Sequence, residues 1–139
     1  MSFSFAIRVY WEDTDAGGIV FYANYLKFME RARTEWLRSL GIGQRELRET
    51  TGGQFVVSET QLKYHRPARL DDELLVTADV EQIGSASLII GQRVLSKTEQ
   101  GILLCDGTIR IGWVDAATLR PARIPAQVSG TLGRPAGSI

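Results

Sequence analysis

The sequence predicts an α+β domain in which one long central helix packs against a roughly five-stranded antiparallel sheet. Three features lead to this prediction: an alternating apolar segment near the N-terminus, an amphipathic segment of helical period, and several further alternating segments separated by short turns. The 139 residues fit one domain. A lone long helix must bury its apolar stripe, and the sheet is the partner available to it.

The first element is a strand with one apolar face. Every odd position from Phe3 to Trp11 is apolar, with polar residues such as Arg8 between them. A period of two is typical of a strand that buries one face. The pattern stops at an acidic turn that ends in Gly17 and Gly18.

A helix is predicted next, from about Ala23 to Leu40. Its stripe at helical spacing consists of Tyr25, Phe28, Met29, Ala32, Trp36, Leu37 and Leu40. Asn24 is a plausible N-cap, and Gly41 stands where a left-handed residue commonly ends a helix. Residues 44–49 are compatible with a short second helix.

Four further strands are predicted at residues 55–64, 74–80, 88–95 and 103–113. Short turns join antiparallel neighbours, because a parallel pair needs a long crossover. From Arg120 onward the sequence gains prolines and glycines and loses periodicity. We therefore expect the domain to span residues 1–125 and residues 126–139 to form a surface tail.

Composition excludes several classes of function. Lys+Arg and Asp+Glu both total 16, and this balance argues against non-specific nucleic-acid binding. The single cysteine, Cys105, allows no intrachain disulfide and no cysteine-based metal site. The N-terminus has no signal-peptide pattern, and no apolar run reaches the ~20 residues that span a bilayer. We expect a soluble cytoplasmic protein without a membrane span.

The acidic turn, residues 12–18, holds three carboxylates directly between a strand and a helix. One interpretation is an ordinary polar turn shaped by its glycines. A second is a magnesium phosphoryl-transfer site on Asp13 and Asp15, but the further acidic and basic residues on a parallel sheet are missing. A third is a calcium loop, in which Asn24 stands where a bidentate glutamate belongs.

A fourth interpretation uses the helix that follows the turn. The start of a helix offers unpaired backbone N–H groups and a positive dipole end, which can hold a developing oxyanion. A neighbouring carboxylate can activate water or attack a carbonyl itself. The sequence shows no Ser-His-Asp or Cys-His pairing, so acyl transfer here depends on a carboxylate. We expect Asp13 to orient the turn.

Residues 9–25, VYWEDTDAGGIVFYANY, resemble the signature of hot-dog enzymes of the 4-hydroxybenzoyl-CoA thioesterase family. Residues 26–37, LKFMERARTEWL, and 63–72, KYHRPARLDD, resemble its subgroup of acyl-CoA thioesterases encoded with the Tol–Pal envelope system. The resemblance runs from about residue 5 to 125. It implies the hot-dog fold and hydrolysis of acyl-CoA thioesters without metal or cofactor.

The resemblance also implies roles for individual residues. Asp15 matches the catalytic aspartate, the backbone N–H of Tyr22 matches the oxyanion donor, and Gly17 and Gly18 shape the turn. Many members of the Tol–Pal subgroup carry His at the position of Tyr22, and the aromatic residue is closer to the 4-hydroxybenzoyl branch. Ser58 falls on a strand that lines the pocket in relatives.

The expected substrate is acyl-CoA with a short aliphatic or aromatic acyl group, or the same group on acyl carrier protein. The basic run that binds CoA phosphates in the 4-hydroxybenzoyl branch is replaced by the uncharged residues 83–87. Lys63, Arg66 and Arg69 are therefore the candidate phosphate ligands. A hot-dog dehydratase is disfavoured, because its histidine motif is missing.

The resemblance also implies a homodimer or homotetramer in which Asp15 of one subunit faces the strands of another. The alternative function is a non-catalytic protein that binds acyl carriers or acts as a scaffold associated with the Tol–Pal system.

Overall fold

A computed structural model describes residues 3–99 and 101–133 of the chain. The elements are β1 (Phe3–Arg8), two short 3₁₀ turns (Trp11–Asp13 and Tyr22–Asn24), α1 (Tyr25–Ser39), α2 (Gln44–Thr51), β2 (Gly53–Tyr64), β3 (Glu73–Ile83), β4 (Ser87–Ser96), β5 (Leu103–Asp115) and α3 (Ala126–Leu132). Across these described ranges, none of the helices has the length and apolar character needed to cross a bilayer.

The five strands form one antiparallel sheet in the order β1-β3-β4-β5-β2. The chain leaves β1, forms both helices, and returns at the opposite edge of the sheet as β2. β1 and β2 are therefore the two edge strands. The predicted architecture, one long helix against a five-stranded antiparallel sheet, is confirmed.

The core lies between α1 and the sheet. The predicted stripe is buried from Tyr25 to Leu37, with Phe28, Met29 and Ala32 fully enclosed, and Leu40 at its end is half-buried. Gly41 has a φ of 82° and follows the last turn of the helix, as its position predicted. Burial of this stripe against β1 and β3 fixes the helix on the sheet, which in turn fixes where the helix begins.

The N-terminal strand is shorter than the alternation predicts. It ends at Arg8, and the chain then enters the 3₁₀ turn, so Trp11 is 79% exposed instead of facing the core. The cause is local. The backbone of Val9 bonds to the loop before β3, with the Val9 N–H donating to Asp72 O at 2.9 Å and the Asp71 N–H donating to Val9 O at 3.1 Å.

The prediction of a surface tail from residue 126 is wrong for the part that the structure describes. Residues 126–132 form α3, and its Val128 and Leu132 are buried in the core. Two apolar residues four apart are too few to reveal helical periodicity in a segment rich in glycine and proline. Residues 134–139 of the predicted tail lie outside the described residues.

Candidate active site

The segment between β1 and α1 forms a tight loop with Asp15 at its tip. Thr14 and Val20 form an isolated antiparallel bridge, and the Asp15 N–H donates to Ile19 O at 2.9 Å. The Gly18 N–H donates back to Asp15 O at 3.1 Å, with Gly18 at a φ of 78°. Only glycine adopts this φ without strain, which explains its place in the turn. We call residues 13–22 the Asp15 loop.

The Asp15 side chain is exposed, and one of its oxygens is anchored. Oδ1 accepts the Gly17 N–H at 2.8 Å, a bond typical of an Asx turn. A side chain at Gly17 would bring its Cβ to 3.2 Å from that same oxygen, so glycine leaves the carboxylate room. Within the described residues Oδ2 has no hydrogen-bond partner, and it is available to a substrate or a water molecule.

Asp13 has the opposite environment, since it is only 3% exposed. Its Oδ2 accepts the Tyr10 N–H at 2.8 Å, and its Oδ1 accepts the Asn24 side-chain amide at 2.9 Å. Asp13 therefore ties the end of β1 to the start of α1, in agreement with the expected orienting role. Asn24 occupies the predicted N-cap position of α1, but its side chain bonds to Asp13 and makes no cap hydrogen bond to the helix.

Tyr22 begins the 3₁₀ turn that leads directly into the 15-residue helix α1. The Phe21 N–H donates to Asp13 O and the Asn24 N–H to Phe21 O, whereas the N–H groups of Tyr22 and Ala23 meet no acceptor in the described part of the chain. These two free donors lie at the positive end of the helix. Tyr22 itself is 64% exposed.

The Asp15 loop is held against residues 68–70. The Val20 N–H donates to Ala68 O at 2.8 Å, Ile19 forms a bridge with Arg69, and the Leu70 N–H donates to Gly18 O at 3.3 Å. Asp15, Gly17, Gly18, Tyr22 and Arg69 are thus brought into one region. Arg66 belongs to the same exposed connection between β2 and β3.

Two tyrosines support this region. The Tyr64 hydroxyl donates to Tyr22 O at 3.0 Å, and the Tyr25 hydroxyl accepts the Ala68 N–H at 3.0 Å. Burial raises the pKa of both hydroxyls, so both stay protonated at neutral pH. Tyr64 was not singled out as a site residue from the sequence, because its partner is a backbone carbonyl that no pattern reveals.

Ser58 and Lys63 lie elsewhere. Ser58 occupies an irregularity of β2, where its hydroxyl donates to Arg110 O at 3.3 Å, roughly 20 Å along the strand from Tyr64. Lys63 lines an open groove of about 470 Å³ together with Asp79 and Asp106, and no residue of the Asp15 loop lines it. One chain therefore does not bring Ser58 to its own Asp15.

The burial of one charged residue, Arg33, in the core was also not predicted from the sequence. Arg33 is only 9% exposed and donates from Nη1 to the Gln92 side-chain oxygen at 2.9 Å. Its spacing of four residues from both Met29 and Leu37 places it on the apolar stripe, and this signal could have identified it. In the described ranges no group of three or more His, Cys, Asp or Glu residues could hold a metal ion.

Comparison with known proteins gives one family. A model described as the thioesterase-like superfamily matches residues 9–132. An acyl-CoA thioesterase YbgC of Haemophilus influenzae is 41% identical over 130 residues, which cover 94% of this chain and 93% of the relative. An acyl-CoA thioester hydrolase YbgC of Escherichia coli O6:H1 is 36% identical over 126 residues, covering 91% and 92%.

A solved structure supports the same grouping. A probable thioesterase from Bartonella henselae matches with a TM-score of 0.82 and 29% identity, covering 90% of this chain and all of that one. The predicted hot-dog fold and the predicted enzyme class, a thioester hydrolase, are confirmed. The chain belongs to the thioesterase-like superfamily, in the same family as the YbgC acyl-CoA thioesterases.

Proposed function

We propose that the protein hydrolyses the thioester bond of acyl-CoA, with Asp15 as its catalytic carboxylate. The observation that carries this proposal is the layout of the Asp15 loop. An exposed carboxylate with one free oxygen belongs to the same short loop as the free N–H group of Tyr22, and the free N–H group of Ala23 follows directly at the helix start. Its relatives in Haemophilus influenzae and Escherichia coli are named for this activity.

The thioester carbonyl oxygen is placed toward the Tyr22 N–H, at the positive end of α1. As the carbonyl carbon is attacked, negative charge grows on this oxygen. A preorganised donor there stabilises the transition state by about 2.7–4 kcal/mol. The C–S bond then breaks, and CoA leaves as a thiolate that takes up a proton. Gly17 and Gly18 keep the approach to the carbonyl free of side chains.

Asp15 can act by two routes. As a general base it takes a proton from the attacking water, and as a nucleophile it forms an acyl-aspartate anhydride that water then hydrolyses. Single turnover in ¹⁸O-water tests the nucleophilic route, because label enters the Asp15 carboxylate only when water attacks the aspartyl carbonyl of the anhydride. Both routes need the ionised side chain.

The central test is Asp15→Asn, which keeps the shape of the side chain and removes its charge. The catalytic rate on acyl-CoA should fall at least ~100-fold, the lower end of general-base contributions. Glu12→Gln is the matched control, since Glu12 is an exposed carboxylate of the same segment. The assignment is wrong if Asp15→Asn turns over at a rate near that of the wild type.

We further propose a homodimer or homotetramer in which Asp15 of one subunit faces β2 of another. β2 is an edge strand whose outer hydrogen-bonding groups are free to pair, and Ser58 on it is out of reach of its own Asp15 loop. Exposed apolar side chains occur on both parts that this assembly would cover, Trp11 and Phe21 on the segment between β1 and α1 and Val57 on β2. Light scattering that gives a monomer mass at micromolar concentration would contradict this assembly.

Arg66 and Arg69, next to the Asp15 loop, are the proposed ligands of the CoA phosphates, with Lys63 as a further candidate. The acyl group is carried by CoA or by acyl carrier protein. The proposed location of the protein is the cytoplasm. The alternative, a non-catalytic acyl-carrier-binding or scaffold protein of the Tol–Pal system, predicts no turnover by the wild type, so the same assay separates the two. The proposal includes no metal or other cofactor.

A further inference from the structure

A buried arginine without a carboxylate partner stands on the core side of α1. Arg33 donates from Nη1 to Gln92 Oε1 at 2.9 Å. The Gln92 amide nitrogen donates in turn to Met29 O at 3.1 Å and Thr77 O at 3.0 Å, which fixes the orientation of the carboxamide. In the described part of the chain, no carboxylate oxygen lies within 4 Å of the guanidinium.

This arrangement leaves Arg33 without an ion-pair partner among the described residues. A guanidinium has five N–H donors, and the carboxamide of Gln92 is a neutral acceptor for one of its nitrogens. Burial lowers the pKa of Arg33, and the negative charge of Glu30 partly opposes that effect. A buried charge of this kind is stabilised by an anion that accepts its remaining hydrogen bonds.

Arg33 is one of the residues that line a cavity between α1 and the sheet. The volume is about 190 Å³, and the apolar lining comprises Trp36, Leu37, Phe55, Ile90 and Ile111. A cavity of roughly 150 Å³ admits benzene, so this one accepts a chain or ring of similar size. Glu30 also lines it, and Glu30 is exposed to solvent.

No residue of the chain's own Asp15 loop lines the cavity. Arg33 lies roughly 12 Å further along the helix axis than Tyr25, at about 1.5 Å per residue. The lining of the cavity instead includes Val56 and Val57 of β2, the residues that directly precede Ser58. In the proposed dimer, this part of β2 faces the Asp15 of the partner subunit.

We propose that Arg33 determines specificity by binding the terminal carboxylate of a short acyl group, one that ends in a second carboxylic acid. The thioester lies at the partner's Asp15, the methylene groups fill the apolar part of the cavity, and the far carboxylate meets the guanidinium. This inference rests on the proposed function, because it needs the thioester site at the dimer interface.

The test compares two substrates of equal chain length, succinyl-CoA and butyryl-CoA, of which only the first ends in a carboxylate. The wild type should prefer succinyl-CoA by about tenfold or more in kcat/KM, the effect of one charge-assisted hydrogen-bond pair. Arg33→Met should abolish the preference, whereas the same change at Arg31, on the exposed face of the helix, should preserve it. Equal or better hydrolysis of butyryl-CoA by the wild type overturns the proposal.

Two further measurements keep the test decisive. If Arg33→Met does not fold, Glu30→Gln replaces it, and removing this charge from the cavity should strengthen the preference for succinyl-CoA about two- to fivefold. Titration calorimetry on Asp15→Asn measures binding without turnover. A Kd about tenfold lower for succinyl-CoA than for butyryl-CoA supports the role of Arg33 even if the wild type hydrolyses neither substrate. Equal Kd values for the two substrates refute that role, whatever the rate of hydrolysis.

Discussion

The oxyanion role assigned to Tyr22 can be tested by deleting a single backbone N–H. Tyr22→Pro removes this donor and leaves the rest of the loop in place. Two local features favour this substitution. Tyr22 is the first residue of a 3₁₀ turn, where proline fits, and Phe21 has a φ of −59° and a ψ of 132°, the extended conformation that a residue before proline requires.

The expected effect is large on the rate and small on stability. The Tyr22 N–H meets no acceptor in the described ranges, so its loss breaks no hydrogen bond, and the free energy of unfolding should change by less than about 1 kcal/mol. Loss of one oxyanion donor costs about 2.7–4 kcal/mol of transition-state stabilisation. The catalytic rate should therefore fall roughly 100- to 1000-fold.

The assay is steady-state hydrolysis of acyl-CoA followed by release of the CoA thiol, with urea unfolding measured in parallel. Tyr22→Ala is the matched control, because it loses the same ring and keeps the N–H. Its rate should remain within about tenfold of the wild type, since the ring is an exposed side chain packed edge-on against Tyr64. Equal losses in the proline and alanine variants would refute the backbone role and assign the effect to the ring.

Three other predictions follow from the packing. Asp13→Ala leaves two N–H donors without their acceptor and should lower the free energy of unfolding by about 1–3 kcal/mol for each donor. Asp13→Asn should lower the catalytic rate much less than the same change at Asp15. Gly107→Ala would place a Cβ 2.0 Å from Gln61 O and should lower stability by about 1–3 kcal/mol or more in urea unfolding, whereas Gly130→Ala, with open space around it, should not. Burial raises the pKa of the Cys105 thiol from 9.0 to about 12, so its contribution to stability is complete below pH 9 and is lost between pH 9 and 12, because only the unfolded chain ionises there. The wild type should lose stability over that range more steeply than Cys105→Ala, by about 1.4 kcal/mol per pH unit in denaturant titrations.

The periodicity of apolar residues was sufficient to predict the helices and strands that bury one face along their whole length. The stripe of α1 and the alternation of β3, β4 and β5 are set by residues close in sequence, and their bounds were predicted within a few positions. Local pattern failed where a distant segment decides the outcome. Val9 bonds to the loop before β3 and ends β1 early, and α3 is held by the burial of Val128 and Leu132 in the core.

The same division holds for the site. The Asp15 loop is built from neighbouring residues, so its glycines, its aspartates and the helix start that follows could all be identified from the sequence. For Arg33 the sequence gives its place on the apolar stripe of α1, but not the contact that allows its burial. Its burial depends on Gln92 of β4, and a charged residue in a sequence is by default expected to face solvent.

The two aspartates of the loop show how one short segment separates structure from chemistry. Asp13 uses both of its oxygens to bind the Tyr10 N–H and the Asn24 amide, and this buried carboxylate fixes the start of α1. Asp15 bonds only to the Gly17 N–H, within its own turn, and stays exposed. Because Asp13 already holds the loop, Asp15 has no structural contact with the core to maintain. Asp13→Asn should therefore lower the free energy of unfolding and have only a small effect on the catalytic rate. Asp15→Asn should lower the catalytic rate and leave the free energy of unfolding unchanged.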